Sequence, residues 1–240
     1  MRLKGKVALV TGASRGLGAE MARAFAAAGA SVAVNYRASW KEARAVAQEC
    51  GGVAIQGHVG RYADRVVEAV LKRFGRLDIL VNNAGLADPK SWTDDLEIMN
   101  DDLWELVLET DLLGTFKCSR AAARVMKRGG KIINIASIPA LVGDRDGLVY
   151  ATAKAGVIGM TKMLAVLLAP RIQVNCMAFG SMSTSWADWL TPAQKKSYRS
   201  AIPLRRFGKP EEGAQLALFL ARNDGVTGQT IVLDGGEARI

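Results

Sequence analysis

Val7-Ala-Leu-Val10 runs directly into Thr11-Gly-Ala-Ser-Arg-Gly-Leu-Gly18, and this junction decides the fold. The first four residues form an apolar run of strand length that Gly12 ends, the signature of a strand buried on both faces. From Leu17 to Ala28 the chain is alanine-rich with apolar residues at helical spacing, and Gly29 supplies a C-terminal cap. Between them Gly12, Gly16 and Gly18 follow G-x-x-x-G-x-G, a relative of the dinucleotide fingerprint. Gly12 permits the sharp turn off the strand. Gly16 lets the backbone approach a pyrophosphate, and Gly18 allows close packing of helix on strand. Ser14, Arg15 and Leu17 complete the turn, and the helix start offers N–H groups and the positive end of its dipole to an anion. A turn with no ligand produces the same letters; the place at the first strand–helix junction gives the motif its weight.

The same alternation continues outward. Strands are expected at Ser31 to Tyr36, Val53 to Val59 and Leu77 to Val81, with helices at Trp40 to Glu49 and Tyr62 to Phe74. After a polar loop at roughly 86–100 the pattern predicts one long helix from Leu103 to Met126 and a strand at Lys131 to Ile135. A second long helix follows from Val149 to Ala169, stopped by Pro170, then a strand at Ile172 to Met177. A helical excursion at Ser183 to Ser200, a helix at Glu211 to Ala221 and a strand at Thr230 to Leu233 complete the chain. Strand–helix alternation of this kind implies right-handed βαβ units and a doubly wound parallel sheet with helices on both faces. No linker or repeat interrupts it, so residues 1–240 read as one α/β domain.

Composition narrows the chemistry. Of 240 residues 50% are hydrophobic and 23% charged, which suits a globular core. His58 is the only histidine, and Cys50, Cys118 and Cys176 are far apart with no CxxC pair. Multi-histidine metal sites and a disulfide scaffold are therefore not expected. No apolar run has the length of a leader or a membrane span: Met163 to Ala169 falls far short of the roughly 20 residues needed. A soluble, cytoplasmic, metal-free protein with no membrane partner is expected. The net charge of +9 fits an anionic ligand or merely a solvated basic surface. With no basic tail or recognition motif, no nucleic-acid partner is expected.

Charge also bears on which dinucleotide is bound. An NAD site places an acidic side chain at the end of the second strand to hold the ribose 2′-OH. Here that end reads Val34-Asn35-Tyr36-Arg37, with Ser39 beyond. Two guanidiniums, Arg15 and Arg37, and a hydroxyl suit a 2′-phosphate, so NADP(H) is preferred over NAD(H).

Tyr150 and Lys154 lie four apart on a predicted helix and share a face. Ser137 follows the fifth strand, at the carboxyl edge where open parallel sheets bind ligands. A tyrosine ionising near its ordinary pKa of about 10 is a poor acid–base at neutral pH, and a neighbouring ammonium is expected to lower that value. Taken with Thr11–Gly18, Asn82-Asn-Ala-Gly85 and the terminal Gly228-Gln-Thr-Ile-Val-Leu-Asp-Gly-Gly236, these residues resemble the short-chain dehydrogenase/reductase family over essentially the whole chain. The resemblance implies a Rossmann-type seven-stranded sheet and a homotetramer. It implies that Tyr150 gives a proton to a substrate carbonyl, that Ser137 orients that oxygen, and that Lys154 holds the nicotinamide ribose and tunes Tyr150. Asn83, Ala84 and Gly85 would line the cofactor groove, and Met182 and Thr184 would meet the carboxamide.

Three positions depart from the family pattern. Asp111 replaces the catalytic asparagine, in Glu109-Thr-Asp-Leu-Leu-Gly-Thr-Phe116, and is expected to support proton transfer by pairing with Lys154. Phe179-Gly180 replaces Pro-Gly, which implies a looser nicotinamide-side loop. His58-Val59 replaces the pair that meets adenine, so His58 is expected to pack or hydrogen-bond there. Within the family, Ala155–Lys162 and Ile202–Glu212 are most similar to 3-oxoacyl-acyl-carrier-protein reductases. Arg128 and Arg171 fall where those enzymes carry basic residues that meet the acidic carrier, and Lys117, Arg120 and Arg124 fall near the same helix face. A lid at about 181–205 carries Trp186 and Trp189. Sugar, polyol or secondary-alcohol dehydrogenases stay open, as does a catalytically idle dinucleotide sensor or scaffold.

Overall fold

The computed structural model describes residues 3–86, 92–93 and 95–238, with the side chains of Trp186 and Trp189 outside the description. Strands β1 (Val7–Val10), β2 (Ser31–Tyr36), β3 (Val53–Gln56), β4 (Ile79–Asn82), β5 (Gly130–Ser137), β6 (Ile172–Phe179) and β7 (Thr230–Leu233) form one parallel sheet. Its order is β3-β2-β1-β4-β5-β6-β7. The winding reverses between β1 and β4, and at such a switch point the carboxyl edge of the sheet opens into a crevice.

Alternate residues of the central strands feed two separate cores, as the two-residue period of a strand requires. Ala8 and Val10 of β1 pack with Phe25 of α1 (Gly16–Ala27), Val46 of α2 (Trp40–Glu49) and Leu218 of α9 (Pro210–Arg222). Val7 and Leu9 face the other way, toward Val66 of α3 (Val59–Phe74), Cys118 of α5 (Gly114–Val125) and Ala165 of α7 (Leu148–Leu168). Within the second layer a buried polar chain crosses from helix to helix. Asn82 Nδ2 donates to Ser119 Oγ at 2.9 Å and to Asn134 Oδ1 at 2.8 Å, and Asn134 Nδ2 donates to Thr161 Oγ1 at 2.9 Å. Buried amides need such partners, and here they fix α5 and α7 against the strands behind the crevice.

Helix α7 is long and apolar enough to cross a membrane by length and composition, with a mean hydropathy of 1.4. Ala153, Lys154, Val157 and Thr161 on it are nevertheless buried within the fold, which makes it a core helix of this sheet.

Several boundaries differ from the sequence expectations. The helix expected from Leu103 to Met126 is three pieces: α4 (Asp101–Val107), a π-helical segment Leu108–Leu113, and α5. β3 ends at Gln56 rather than Val59, because His58 leaves the strand to cap α3, its Nδ1 accepting from the Gly60 N–H at 3.1 Å. β5 and β6 each run two residues past the C-terminal end of the apolar pattern, paired to the end at Ser137 and Phe179. A short helix, α6 (Pro139–Val142), follows β5 unforeseen. The excursion after β6 is a 3-10 turn (Ser185–Trp189) and α8 (Pro192–Ala201), the latter opened by a capping box of Thr191 and Gln194.

Candidate active site

The glycine turn leaves β1 with Gly12 at φ 60°, and a Cβ on Gly18 would lie 2.4 Å from Asn83 Nδ2, so helix, turn and β4 exit are in close contact. Thr11 stitches them together. Its Oγ1 accepts from the N–H groups of Asn83 and Ala84, both at 3.0 Å, and donates to the Val81 carbonyl at 3.2 Å. Asn83 spends its side-chain amide on the Thr11 and Gly12 carbonyls, at 2.9 and 3.1 Å, so this side chain shapes the turn. Asn35 does the same from β2. Its Oδ1 accepts from Gly12 N–H at 3.4 Å, and its Nδ2 donates to Gly57 O at 3.0 Å. Sequence reading noted Asn35 only as a missing acid; its role depends on a cross-strand neighbour that periodicity does not reveal.

The residues expected to hold a dinucleotide converge on one cleft along the carboxyl edge. Gly12 and Ser14 through Gly18, then Tyr36, Arg37 and Ser39, then His58 and Val59, then Asn83 through Gly85 line it, with Thr184 closing the far end. Met182 lies in the adjoining pocket. The lining fits a polyanion. α1 has no side-chain cap and no acid in its first turn, so its leading N–H groups are free for a phosphate. Among the described residues no carboxylate lines the cleft, and Arg15 and Arg37 are exposed and without an ion pair. His58 also sits there. Burial lowers its pKa more than Glu109 raises it, consistent with a neutral ring whose Nδ1 accepts.

The adjoining pocket gathers Ser137, Tyr150, Lys154 and Asp111. Ser137 ends β5, opposite Phe179 of β6, and its Oγ donates to the Phe179 carbonyl at 3.2 Å. Tyr150 and Lys154 share one face of α7, as their spacing requires. The Tyr150 hydroxyl is hydrogen-bonded with Ser137, and Lys154 Nζ lies 5.4 Å from the Tyr150 ring centroid. Asp111 reaches Lys154 from the π-helical segment, with Oδ1 2.9 Å from Nζ. This is the pairing expected from the sequence.

One expectation is corrected. The pKa of Tyr150 is raised, not lowered: burial is the largest cause, and the Asp111 carboxylate adds to it against the opposing effects of Lys154 and Ser137. The ammonium does favour the phenolate, as expected, but burial outweighs it and Asp111 offsets part of it. Lys154 itself is raised, because Asp111 and Tyr150 outweigh the burial that would lower it.

Four further side chains line this pocket that the motifs did not indicate: Trp92, Asp144, Tyr198 and Glu237. The Trp92 ring lies 5.2 Å from that of Tyr150. Glu237 accepts from Ser181 N–H and Oγ, both at 2.8 Å. Trp92, Asp144 and Glu237 come from loops and Tyr198 from α8, and no shared periodicity marks them. The Phe179–Ser181 segment, expected to be loose, is tied at several points. Gly180 N–H reaches Leu233 O at 3.1 Å, and the Glu237 bonds hold Ser181. Trp186 and Trp189, expected in a lid, have side chains outside the described residues.

The basic face is largely occupied within the chain. Arg120 and Arg124 pair with Asp64 at 3.7 and 3.1 Å, and Lys117 donates to the Gly60 carbonyl. Arg171 binds the Ala123 and Met126 carbonyls at 2.6 and 2.7 Å, capping the end of α5. Arg128 and Arg171 also precede β5 and β6, at the sheet edge opposite Ser137.

A family model described as enoyl-(acyl carrier protein) reductase matches residues 12–237. The chain belongs to the short-chain dehydrogenase/reductase family, oxidoreductases that bind a nicotinamide dinucleotide. It is 39% identical to the 3-oxoacyl-acyl-carrier-protein reductase of Thermotoga maritima, with 98% of this chain and 99% of that one covered. It is 42% identical to the enzyme of that name from Staphylococcus aureus, covering 96% of this chain and 97% of the other. Among solved structures it resembles a short-chain dehydrogenase from Burkholderia cenocepacia in complex with NADP, at a TM-score of 0.91 and 35% identity over 99% of both chains.

Proposed function

We propose that the chain is an NADPH-dependent ketoreductase that converts a ketone resembling a 3-oxoacyl thioester to a secondary alcohol. The observation that carries this reading is the meeting of Ser137, Tyr150 and Lys154 at one end of a dinucleotide cleft free of carboxylates among the described residues. When bound, the nicotinamide supplies hydride to the carbonyl carbon. Arg15, Arg37 and Ser39 hold the 2′-phosphate, and the open start of α1 holds the pyrophosphate. Ser137 orients the carbonyl oxygen and Tyr150 gives it a proton. Lys154 steadies the ribose and, with Asp111, sets the charge beside Tyr150. Met182 and Thr184 lie where the carboxamide is held. Residues 181–205 serve as the substrate lid of a single domain spanning 1–240.

A second reading has one observation in its favour. Asp144 and Glu237 put two carboxylates in the pocket that holds Ser137 and Tyr150, and Tyr198 lines it with them. Such a wall suits a neutral, hydroxyl-rich substrate better than a phosphate-bearing carrier arm, which favours a sugar or polyol dehydrogenase. The test is turnover of NADPH and NADH with acetoacetyl thioesters, simple ketones and diketones, and of the oxidised cofactors with polyols. Thioester reduction with NADPH is the expected leading activity. Polyol oxidation alone would establish the second reading, and tight cofactor binding without turnover would establish an idle sensor.

The enzyme is further proposed to work in the cytoplasm as a homotetramer, without nucleic-acid or membrane partners. Exposed apolar side chains on α5 and α7 support the assembly: Phe116, Met163, Val166 and Leu167, the last two 77% and 70% exposed. Met163, Val166 and Leu167, three and four apart, share one face of α7, and exposed apolar surface of this kind marks protein contacts. Val166→Glu is expected to shift the mass measured by light scattering to a smaller species; an unchanged tetramer would exclude this face.

A further inference from the structure

Asp111 is fully buried, and the site is shaped around its carboxylate. The π-helical segment carries it in from below. Its Oδ1 lies 2.9 Å from Lys154 Nζ, and its Oδ2 accepts from the Leu86 N–H at 2.8 Å. Gly85 passes so close that a Cβ there would sit 2.8 Å from Oδ1 and 3.5 Å from Nζ. The ion pair is thus packed against bare backbone, with Lys154 only 3% exposed.

The groups facing Tyr150 are few. Lys154 approaches from its own helix, Asp111 from the π-helical segment and Ser137 from β5. Lys154 is faced by Asp111, by Tyr150 and by Cys176 of β6. Asp144 and Glu237 lie further out in the same pocket. Lys154 therefore has its counter-charge at 2.9 Å, while the Tyr150 ring centroid is 5.4 Å away. Tyr150 thus faces a paired ammonium, and the Asp111 carboxylate offsets part of its attraction for a phenolate.

We propose that Asp111 helps set the protonation of Tyr150: by pairing with Lys154 it favours the neutral phenol, the form that donates to a carbonyl oxygen. The consequence for catalysis rests on the ketoreductase reading; the coupling of Asp111 to Tyr150 does not. In reduction the Tyr150 O–H bond breaks and a new O–H bond forms on the substrate oxygen, while the carbonyl carbon gains hydride from a reduced nicotinamide. The phenolate left behind regains a proton from solvent. With Lys154 paired to Asp111 that phenolate is a stronger base, so reprotonation is favoured. Asp111 is a positioning residue in this scheme.

The test reads the phenol directly, in protein free of cofactor. The tyrosinate absorbance of the wild type minus that of Tyr150→Phe gives the ionisation of Tyr150 alone. Its midpoint is expected above the ordinary tyrosine value of about 10. The same difference measured in an Asp111→Asn background is expected to fall by at least about one pH unit, a tenfold change in proton affinity. Asparagine is isosteric and its Oδ1 can still accept from Leu86. In turnover, the alkaline limb of ketone reduction moves down with the midpoint. Equal midpoints with and without Asp111, or a wild-type midpoint below the ordinary value, would overturn the proposal. Should Asp111→Asn fail to fold by circular dichroism, the same comparison is made with Asp111→Ser. A titration as expected without any ketone reduction would remove the ketoreductase reading and leave the coupling standing.

Discussion

Tyr150→Phe is expected to lower ketone reduction by about 10³-fold, within the range that a positioned general acid contributes. NADPH affinity should change no more than a few-fold, because the phenol lies on the substrate side, hydrogen-bonded with Ser137 and beside Trp92. Both quantities are measurable on one preparation, by steady-state reduction of an acetoacetyl thioester and by quenching of protein fluorescence on titration with NADPH. Reduction within tenfold of wild type would mean that another group donates the proton. Tyr198 lines the same pocket and is the next phenol to examine; burial and the nearby Asp144, Asp146 and Glu237 carboxylates raise its pKa. The raised pKa of Tyr150 also fixes a sign. The donor form is present throughout the neutral range and is lost only as pH rises through that pKa, so reduction declines on the alkaline side.

Arg37→Ala is expected to weaken NADPH by about tenfold to thirtyfold and NADH by less than about threefold. A hydrogen bond to a charged group contributes about 1.5–3 kcal/mol, and the lower part of that range applies to an exposed guanidinium screened by solvent. Dissociation constants for both cofactors, measured at one ionic strength, check it. The same loss for both would remove the 2′-phosphate from this end of β2. Arg15 lines the same cleft, so Arg15→Ala combined with Arg37→Ala should bring the two cofactors closer still in affinity.

The strand–helix alternation was legible because buried parallel strands are short apolar runs and their helices carry a 3.6-residue period. That logic delivered the seven strands and the placing of Ser137, Tyr150 and Lys154 at one edge. It failed where local structure answers to a distant partner. Periodicity reads 103–126 as one helix, since a π turn leaves the apolar pattern nearly intact. The break exists where Asp111 meets Lys154 and Leu86. The strand expected to run on to Val59 stops at Gln56, because His58 turns its ring back onto Gly60 and starts a helix. In the site, Trp92, Asp144, Tyr198 and Glu237 are far apart in sequence and carry no shared spacing. Only folding brings them to the substrate side. The rise in the Tyr150 pKa was illegible for the same reason: counting an ammonium four residues away says nothing of burial or of the carboxylate that offsets part of its effect.

The terminal pairing of β5 with β6 has a consequence for Ser137. A serine hydroxyl owns a single hydrogen, whereas a carbonyl can only accept. At rest that hydrogen points to the Phe179 carbonyl, which also takes the Ile138 N–H at 3.0 Å. Toward Tyr150 the resting serine therefore offers only a lone pair. An ionised Tyr150, or any ligand oxygen lodged between them, has to draw the hydrogen away from Phe179. The backbone oxygen does not lose its last partner when this happens, since Ile138 remains. Ser137 is in effect a rotor with a cushioned parking position, and the residue that supplies that position is the one standing where the family places proline.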